Sequence, residues 1–331
     1  MRAIVYYQYG SPGVLRCEEI ETPTPTDNEV LIKVHAASVN PYDWHFMRGI
    51  PYFLRLMAGL RKPKDRRLGV DVAGKVEAVG RNVTQFKNGD EVFGACRGAF
   101  AEYARTSETS LAIKPENVSF EQAASVYVAA LTALQGLRDK GQLQPGQKVL
   151  IHGAAGGVGT FAIQIAKWLG GNVTAVCSAK NVELVRSIGA DRVVDYTKED
   201  FTKGTERYDL VFDCIGNHSL AACRRVLNPK GRYIAVGGPR DRWMIGSLAR
   251  MIAAPVVSRF VGQKLSMVLM KPRKEDLMLM QELMKTGKVR AVIDRRYSLK
   301  EAPEAIGYVE EGHARGKVVI SLEGESAAPY K

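Results

Sequence analysis

Cysteine is scarce and unpaired in this sequence. The five present (Cys17, Cys96, Cys177, Cys214 and Cys223) are scattered without a C-x-x-C spacing. That excludes a disulfide framework and points to a reducing compartment. Long apolar runs are missing too: none approaches the roughly eighteen residues that a membrane-crossing helix needs. The opening Met1-Arg-Ala-Ile-Val-Tyr6 has the texture of a strand. Neither a signal peptide nor a transmembrane span is therefore expected, and a cytoplasmic location is. There is no internal repeat, and the one low-complexity feature is a short tail after Glu323. Acids are outnumbered, 35 Asp and Glu against 47 Lys and Arg, leaving a formal net charge of +12. Such an excess attracts nucleic acid, anionic membrane or phosphorylated small molecules. No nucleic-acid motif accompanies it and the bases are widely spread, so nucleic acid is set aside as a partner.

What is present turns on residues 148–180. Val149, Leu150 and Ile151 form a short apolar run, as in a parallel strand buried on both faces. Phe161, Ile163, Ile165, Ala166 and Leu169 recur at helical intervals until Gly170-Gly171. A second strand follows over Asn172–Cys177. Between strand and helix lies Gly153-Ala-Ala-Gly-Gly-Val-Gly159, the dinucleotide fingerprint G-x-G-x-x-G with Ala154 at its first glycine position. The turn leaves the first helical N–H groups unpaired beside the positive end of the helix dipole, a seat for a pyrophosphate. Ala154, Ala155, Gly156, Gly157 and Val158 are the expected cradle.

Residues 1–120 read as many short β-branched strands divided by Pro, Gly, Asn and Asp turns, the pattern of a small barrel or sandwich. An apolar helical region near Phe120–Leu137 leads into the dinucleotide unit. After Cys177, βα alternation predicts an α/β doubly wound parallel sheet with right-handed crossovers. Beyond Gly287 a strand, a helix and a last strand return to the first domain. The expected domains are 1–122, 123–265 and the returning segment 266–331. Two stretches, 48–67 and 240–274, mix Arg and Lys with large apolar residues. The preferred reading is a solvated helix over the active-site cleft or at a subunit contact; such a stretch can also lie on an anionic membrane.

Separated motifs then carry a likeness: Gly10-x-Pro12, Glu29-Val-Leu-Ile-Lys-Val34, Ser38-Val-Asn40-Pro-Tyr-Asp43 and Gly69-x-Asp71-Val-Ala-Gly74. Asn88-Gly-Asp-Glu-Val-Phe93, Ala129-Ala-Leu-Thr132-Ala133, the glycine loop, Ile188-Gly-Ala-Asp191 and Gly316-Lys317-Val-Val319 continue it. The chain resembles the medium-chain dehydrogenase/reductase superfamily, in its zinc-free quinone oxidoreductase and enone reductase branch. The resemblance implies a GroES-like β-rich substrate domain built from both chain ends, with a Rossmann domain inserted, and a homodimer. Zinc members would carry Cys, His and carboxylate ligands where this chain reads Pro41, Gly69-Val70-Asp71 and Tyr127 or Val128, so no zinc is expected.

An acid ending the second dinucleotide strand would bind a ribose 2′-hydroxyl and repel a 2′-phosphate. Cys177-Ser178-Ala179-Lys180 has none: Ser178 can donate a hydrogen bond and Lys180 brings positive charge, which favours NADPH. The resemblance sets Tyr196 beside that phosphate. It also implies that Asn40, Thr132, Ile215, Gly216, Val236, Gly237, Gly238 and Lys317 lie along the cofactor, although Thr132 could instead bond its own helix backbone. Asn40 and His45 are the expected catalytic pair, donors to the oxygen of a quinone or α,β-unsaturated carbonyl that receives hydride. His45 stands where this branch often has Tyr, and a surface or core-bonded histidine is the competing reading. Other readings are a zinc-free alcohol or carbonyl oxidoreductase, and an NADPH-binding membrane-peripheral or regulatory protein without turnover.

Overall fold

The computed structural model describes residues 1–237 and 261–322. The chain divides into two units, one of residues 1–128 with 272–331 and one of 129–271. These limits compare with boundaries expected at 122 and 265.

Among the described residues the second unit holds six strands, all parallel, in the order Arg192–Asp195, Asn172–Cys177, Lys148–His152, Tyr208–Asp213, Leu227–Ala235 and Lys264–Met267. The chain starts in the middle at Lys148–His152, winds outward one way, then returns to Tyr208–Asp213 and winds the other. That reversal is the topological switch point of a doubly wound sheet, where ligands bind beyond the carboxyl ends of the strands. Val149, Leu150 and Ile151 are wholly buried, as are Val211 and Phe212 in the adjoining strand. Helix Gly157–Trp168 packs so close that a Cβ on Gly159 would stand 2.2 Å from the Gly153 carbonyl oxygen.

The first unit is built on a seven-stranded sheet whose long strand, Glu29–Val39, pairs on different sides with Asp71–Val79, Tyr103–Ser107 and the returning Lys317–Ser321. Alternate side chains of these strands, Val30, Ile32, Val34, Val72 and Val76, meet Phe100, Ile306 and Val318 in its core. Ser298 caps the turn Leu299–Glu301 that leads into the returning helix Ala302–Glu311, its N–H and hydroxyl both reaching Glu301 at 2.8 Å, and Gly312 at φ 75° stops the helix.

Both basic stretches differ from a single solvated helix. Within 48–67 only Arg48, the last residue of the preceding helix, and Leu54–Ala58 are in α-helix. Lys264–Met267, in the other stretch, is the edge strand of the parallel sheet, and residues 240–260 lie outside those described.

Candidate active site

Each unit carries a buried polar cluster. In the first, Asn40 precedes the helix Pro41–Arg48, where Pro41 suits the first helical position. The Asn40 N–H donates to Asp43 Oδ2 at 2.8 Å, and the Gly69 N–H donates to Asp43 Oδ1 at 3.0 Å. Pairing of Val318 with Val39 sets Lys317 opposite Asn40. Lys317 Nζ donates to Asn40 Oδ1 at 2.6 Å and lies 3.4 Å from Asp71 Oδ2. Asp71 also accepts from Ser38 Oγ at 2.8 Å and from the Val128 N–H at 3.1 Å. Asn40 and Lys317 are 2% and 3% exposed.

An ammonium has no lone pair, so the contact with Lys317 fixes the Asn40 amide with its oxygen toward the lysine. One Nδ2 hydrogen reaches the Ser38 carbonyl at 3.3 Å. The other is left to donate. Burial, with the nearby Asp71 carboxylate, pushes Asp43 up to about 7 against the pull of its two backbone donors. Burial also lowers the Lys317 ammonium, opposed by Asp71.

His45 is anchored separately. Its half-buried ring stacks on Trp44 with 3.6 Å between centroids, and Nδ1 lies 2.8 Å from the Ile50 carbonyl oxygen. A carbonyl only accepts, so Nδ1 carries a proton and ties the ring to its own loop.

In the second unit the expected dinucleotide residues gather at the carboxyl ends of the strands. Ala154 and Ala155 are buried, and Gly156, Gly157 and Val158 are partly open at the start of helix Gly157–Trp168. A Cβ on Gly156 would meet only the Gly153 carbonyl oxygen, at an ordinary 3.5 Å. Internal packing therefore does not require glycine there. Ser178 follows the next strand. Its Oγ accepts from Asn181 Nδ2 at 3.2 Å, leaving the hydroxyl proton to donate elsewhere. Asn181 Oδ1 is the one buried side-chain polar atom without a partner among the described residues. Lys180 is exposed, and Tyr196, 59% exposed, is tied to the same strand end by its N–H to the Cys177 carbonyl at 3.1 Å. Thr132 is half-buried on helix Tyr127–Leu134, and Gly238 lies outside the described residues.

The second cluster was not anticipated from the sequence. Asp213 and His152 end neighbouring strands and stand in register across the switch point. His152 Nδ1 donates to Asp213 Oδ1 at 2.9 Å, as do the N–H groups of Ile215 at 3.0 Å and Gly216 at 2.8 Å. Tyr233 OH donates to Oδ2 at 2.7 Å, and the Val236 and Gly237 N–H groups donate to the Asp213 carbonyl. One residue thus fixes the glycine-loop strand, the 214–216 segment and the 236–237 segment. Burial pushes the Asp213 carboxyl up, but His152, Tyr233 and the Gly216 amide outweigh it and bring it down to about 2. Burial raises the adjacent Cys214 thiol, which keeps it from acting as a thiolate.

No three His, Cys, Asp or Glu side chains among the described residues cluster as a metal site would require. The donor types explain this: Pro41 and Tyr127 begin helices, and Asp71 is already engaged by Lys317, Ser38 and Val128.

Residues 26–116 match the family model for an alcohol dehydrogenase GroES-like domain, and residues 188–320 match that for a zinc-binding dehydrogenase. A chloroplast envelope quinone oxidoreductase homolog from Arabidopsis thaliana is 34% identical, over 97% of this chain and 98% of its own length. An NADPH-dependent alkenal/one oxidoreductase from the same plant is 35% identical, over 97% of this chain and 79% of its own. The solved quinone oxidoreductase from Coxiella burnetii superposes with a TM-score of 0.85 at 32% identity, covering 98% and 99% of the two chains.

Proposed function

The chain belongs to the medium-chain dehydrogenase/reductase superfamily, among its quinone oxidoreductase-like members, and from that premise we propose a zinc-independent, NADPH-dependent reductase of quinones or α,β-unsaturated carbonyls. The observation that carries this reading is the 2.6 Å contact of Lys317 with the Asn40 amide oxygen. It makes Asn40 a donor of fixed orientation, and the neighbouring ammonium polarises its amide. Such a donor suits an acceptor oxygen on which negative charge develops.

Bound NADPH would supply hydride to the acceptor carbon. Gly156, Gly157 and Val158 would hold its pyrophosphate by backbone N–H groups, and Ser178, Lys180 and Tyr196 its 2′-phosphate. Asn40 Nδ2 would donate to the acceptor oxygen. His45, when protonated, carries a proton on Nε2, because Nδ1 is committed to Ile50, and that proton would complete the reduction.

Titration with NADPH and NADH, then NADPH oxidation against quinones, enones and simple alcohols or carbonyls with and without zinc, tests the reading. Turnover of quinones or enones without added metal is the expected result; activity confined to simple alcohols, or dependent on zinc, would overturn it. Ser178→Ala should weaken NADPH about tenfold and leave NADH unchanged, the worth of one hydrogen bond to a charged group.

A further inference from the structure

Segment 48–67 combines two properties that rarely occur together: its backbone is firmly fastened, and its apolar side chains face water. Tyr52, Phe53, Leu56, Met57 and Leu60 are 38%, 50%, 70%, 77% and 67% exposed. Phe53, Leu56 and Met57 fall on one face by their i, i+3, i+4 spacing around helix Leu54–Ala58. Exposed Arg61, Lys62, Lys64 and Arg66 follow, with Asp65 as the one acid of the segment.

Loose chain does not explain the exposure. The Arg55 guanidinium stands over the rings of Tyr9 and Tyr52, 4.5 and 4.9 Å from their centroids, and donates to the Gly49 and Arg48 carbonyls at 3.0 and 3.3 Å. Tyr9 OH donates to the Gly59 carbonyl at 2.6 Å, and the Lys64 N–H to that of Ala58 at 2.8 Å. Gly59 turns at φ 121°, where a Cβ would strike the Lys62 carbonyl oxygen at 2.1 Å. These bonds hold the backbone from its inner side and turn the large apolar tips outward.

We propose that residues 52–66 form a docking surface for an anionic lipid membrane, with Phe53, Leu56, Met57 and Leu60 entering the acyl boundary and Arg61, Lys62, Lys64 and Arg66 meeting the headgroups. Contiguous apolar surface on a fixed scaffold marks an interaction site. A basic rim complements negative charge and selects the lipid surface over a neutral partner. No described helix is long and apolar enough to cross a membrane, so the contact is interfacial. This surface needs none of the catalytic assignments above, and the two readings fail separately.

Co-sedimentation of the full chain with vesicles of phosphatidylcholine alone, or mixed with phosphatidylglycerol, tests it. The wild type should pellet with the mixed vesicles and lose them as salt rises. The triple variant Leu56→Ser, Met57→Ser, Leu60→Ser should stay in solution. Lys62→Glu with Lys64→Glu should partition at least tenfold less, at about fivefold per cation removed. Thermal unfolding and NADPH affinity of both variants should match the wild type, since these side chains are exposed and lie outside the proposed cofactor cradle. Failure of the wild type to pellet, equal binding to both vesicle types, or variants that bind like the wild type would each overturn the proposal. So would self-association in sedimentation equilibrium that the triple variant abolishes, because the patch would then be a protein contact.

Discussion

Asp43 and Asp213 are both wholly buried carboxylates, yet they are displaced in opposite directions, Asp43 up to about 7 and Asp213 down to about 2. Burial acts with the same sign on both, so the neighbours decide. Asp213 receives four donors on its carboxylate, from His152, Ile215, Gly216 and Tyr233. Asp43 receives two, and it shares the field of the Lys317 ammonium with Asp71. One cluster is anion-saturated scaffolding that pins three strand ends. The other is short of cations and holds its charges in tension, an arrangement suited to polarising Asn40.

The largest effect should come from breaking the saturated cluster. Asp213→Ala removes the carboxylate that four donors share and should cost about 3–5 kcal/mol in urea unfolding. Asp213→Asn keeps one acceptor oxygen and should cost less. If the alanine variant loses under about 1 kcal/mol, the carboxylate does not hold the strand ends together.

Next is Lys317→Met, which strands Asp71 as an uncompensated buried charge and frees the Asn40 amide to turn. A loss of about 3 kcal/mol in stability is expected. Adding Asp71→Asn should recover much of that stability but leave kcat about a hundredfold low, because the amide is still unoriented. Recovery of kcat along with stability would show that Lys317 serves the fold alone.

The two clusters also differ in how far the sequence disclosed them. The glycine loop between buried strand and helix is a local pattern, and so is the βα alternation after it; hydrophobic period alone suffices there. The edge strand Lys264–Met267 has no such period in Lys-Leu-Ser-Met, and its basic surroundings pointed to a surface helix instead. Asn40 and Lys317 were named individually through the family likeness, but a contact spanning 277 residues follows from the antiparallel return of the last strand, which no local pattern encodes. Asp71 was considered only as a vacant zinc ligand. Asp213 did leave a signal, an acid closing the apolar run Leu210-Val-Phe212 in a strand destined to be buried, where an unpartnered charge could not be tolerated.

The sharpest test of the opposition is the pH dependence of stability, read one pH unit at a time. Burial pushes Asp43 up to about 7 in the native state against the ordinary 3.8 of an aspartate, so between those limits the folded protein binds more protons than the unfolded chain. Its contribution to stability is therefore fully present below 3.8 and is lost as pH rises to about 7. For Asp213, at about 2 against 3.8, the contribution is present above 3.8 and is lost as pH falls toward 2. Each proton can tilt stability by at most about 1.4 kcal/mol per pH unit. Asn does not titrate, so subtracting Asp43→Asn from wild-type urea unfolding isolates one slope, and Asp213→Asn isolates the other. The first difference should fall from pH 4 to 7 and then level; the second should rise from pH 2 to 4 and stay flat above. A flat first difference would mean that Asp43 is ionised throughout, that its two backbone donors outweigh burial, and that the first cluster is as saturated as the second.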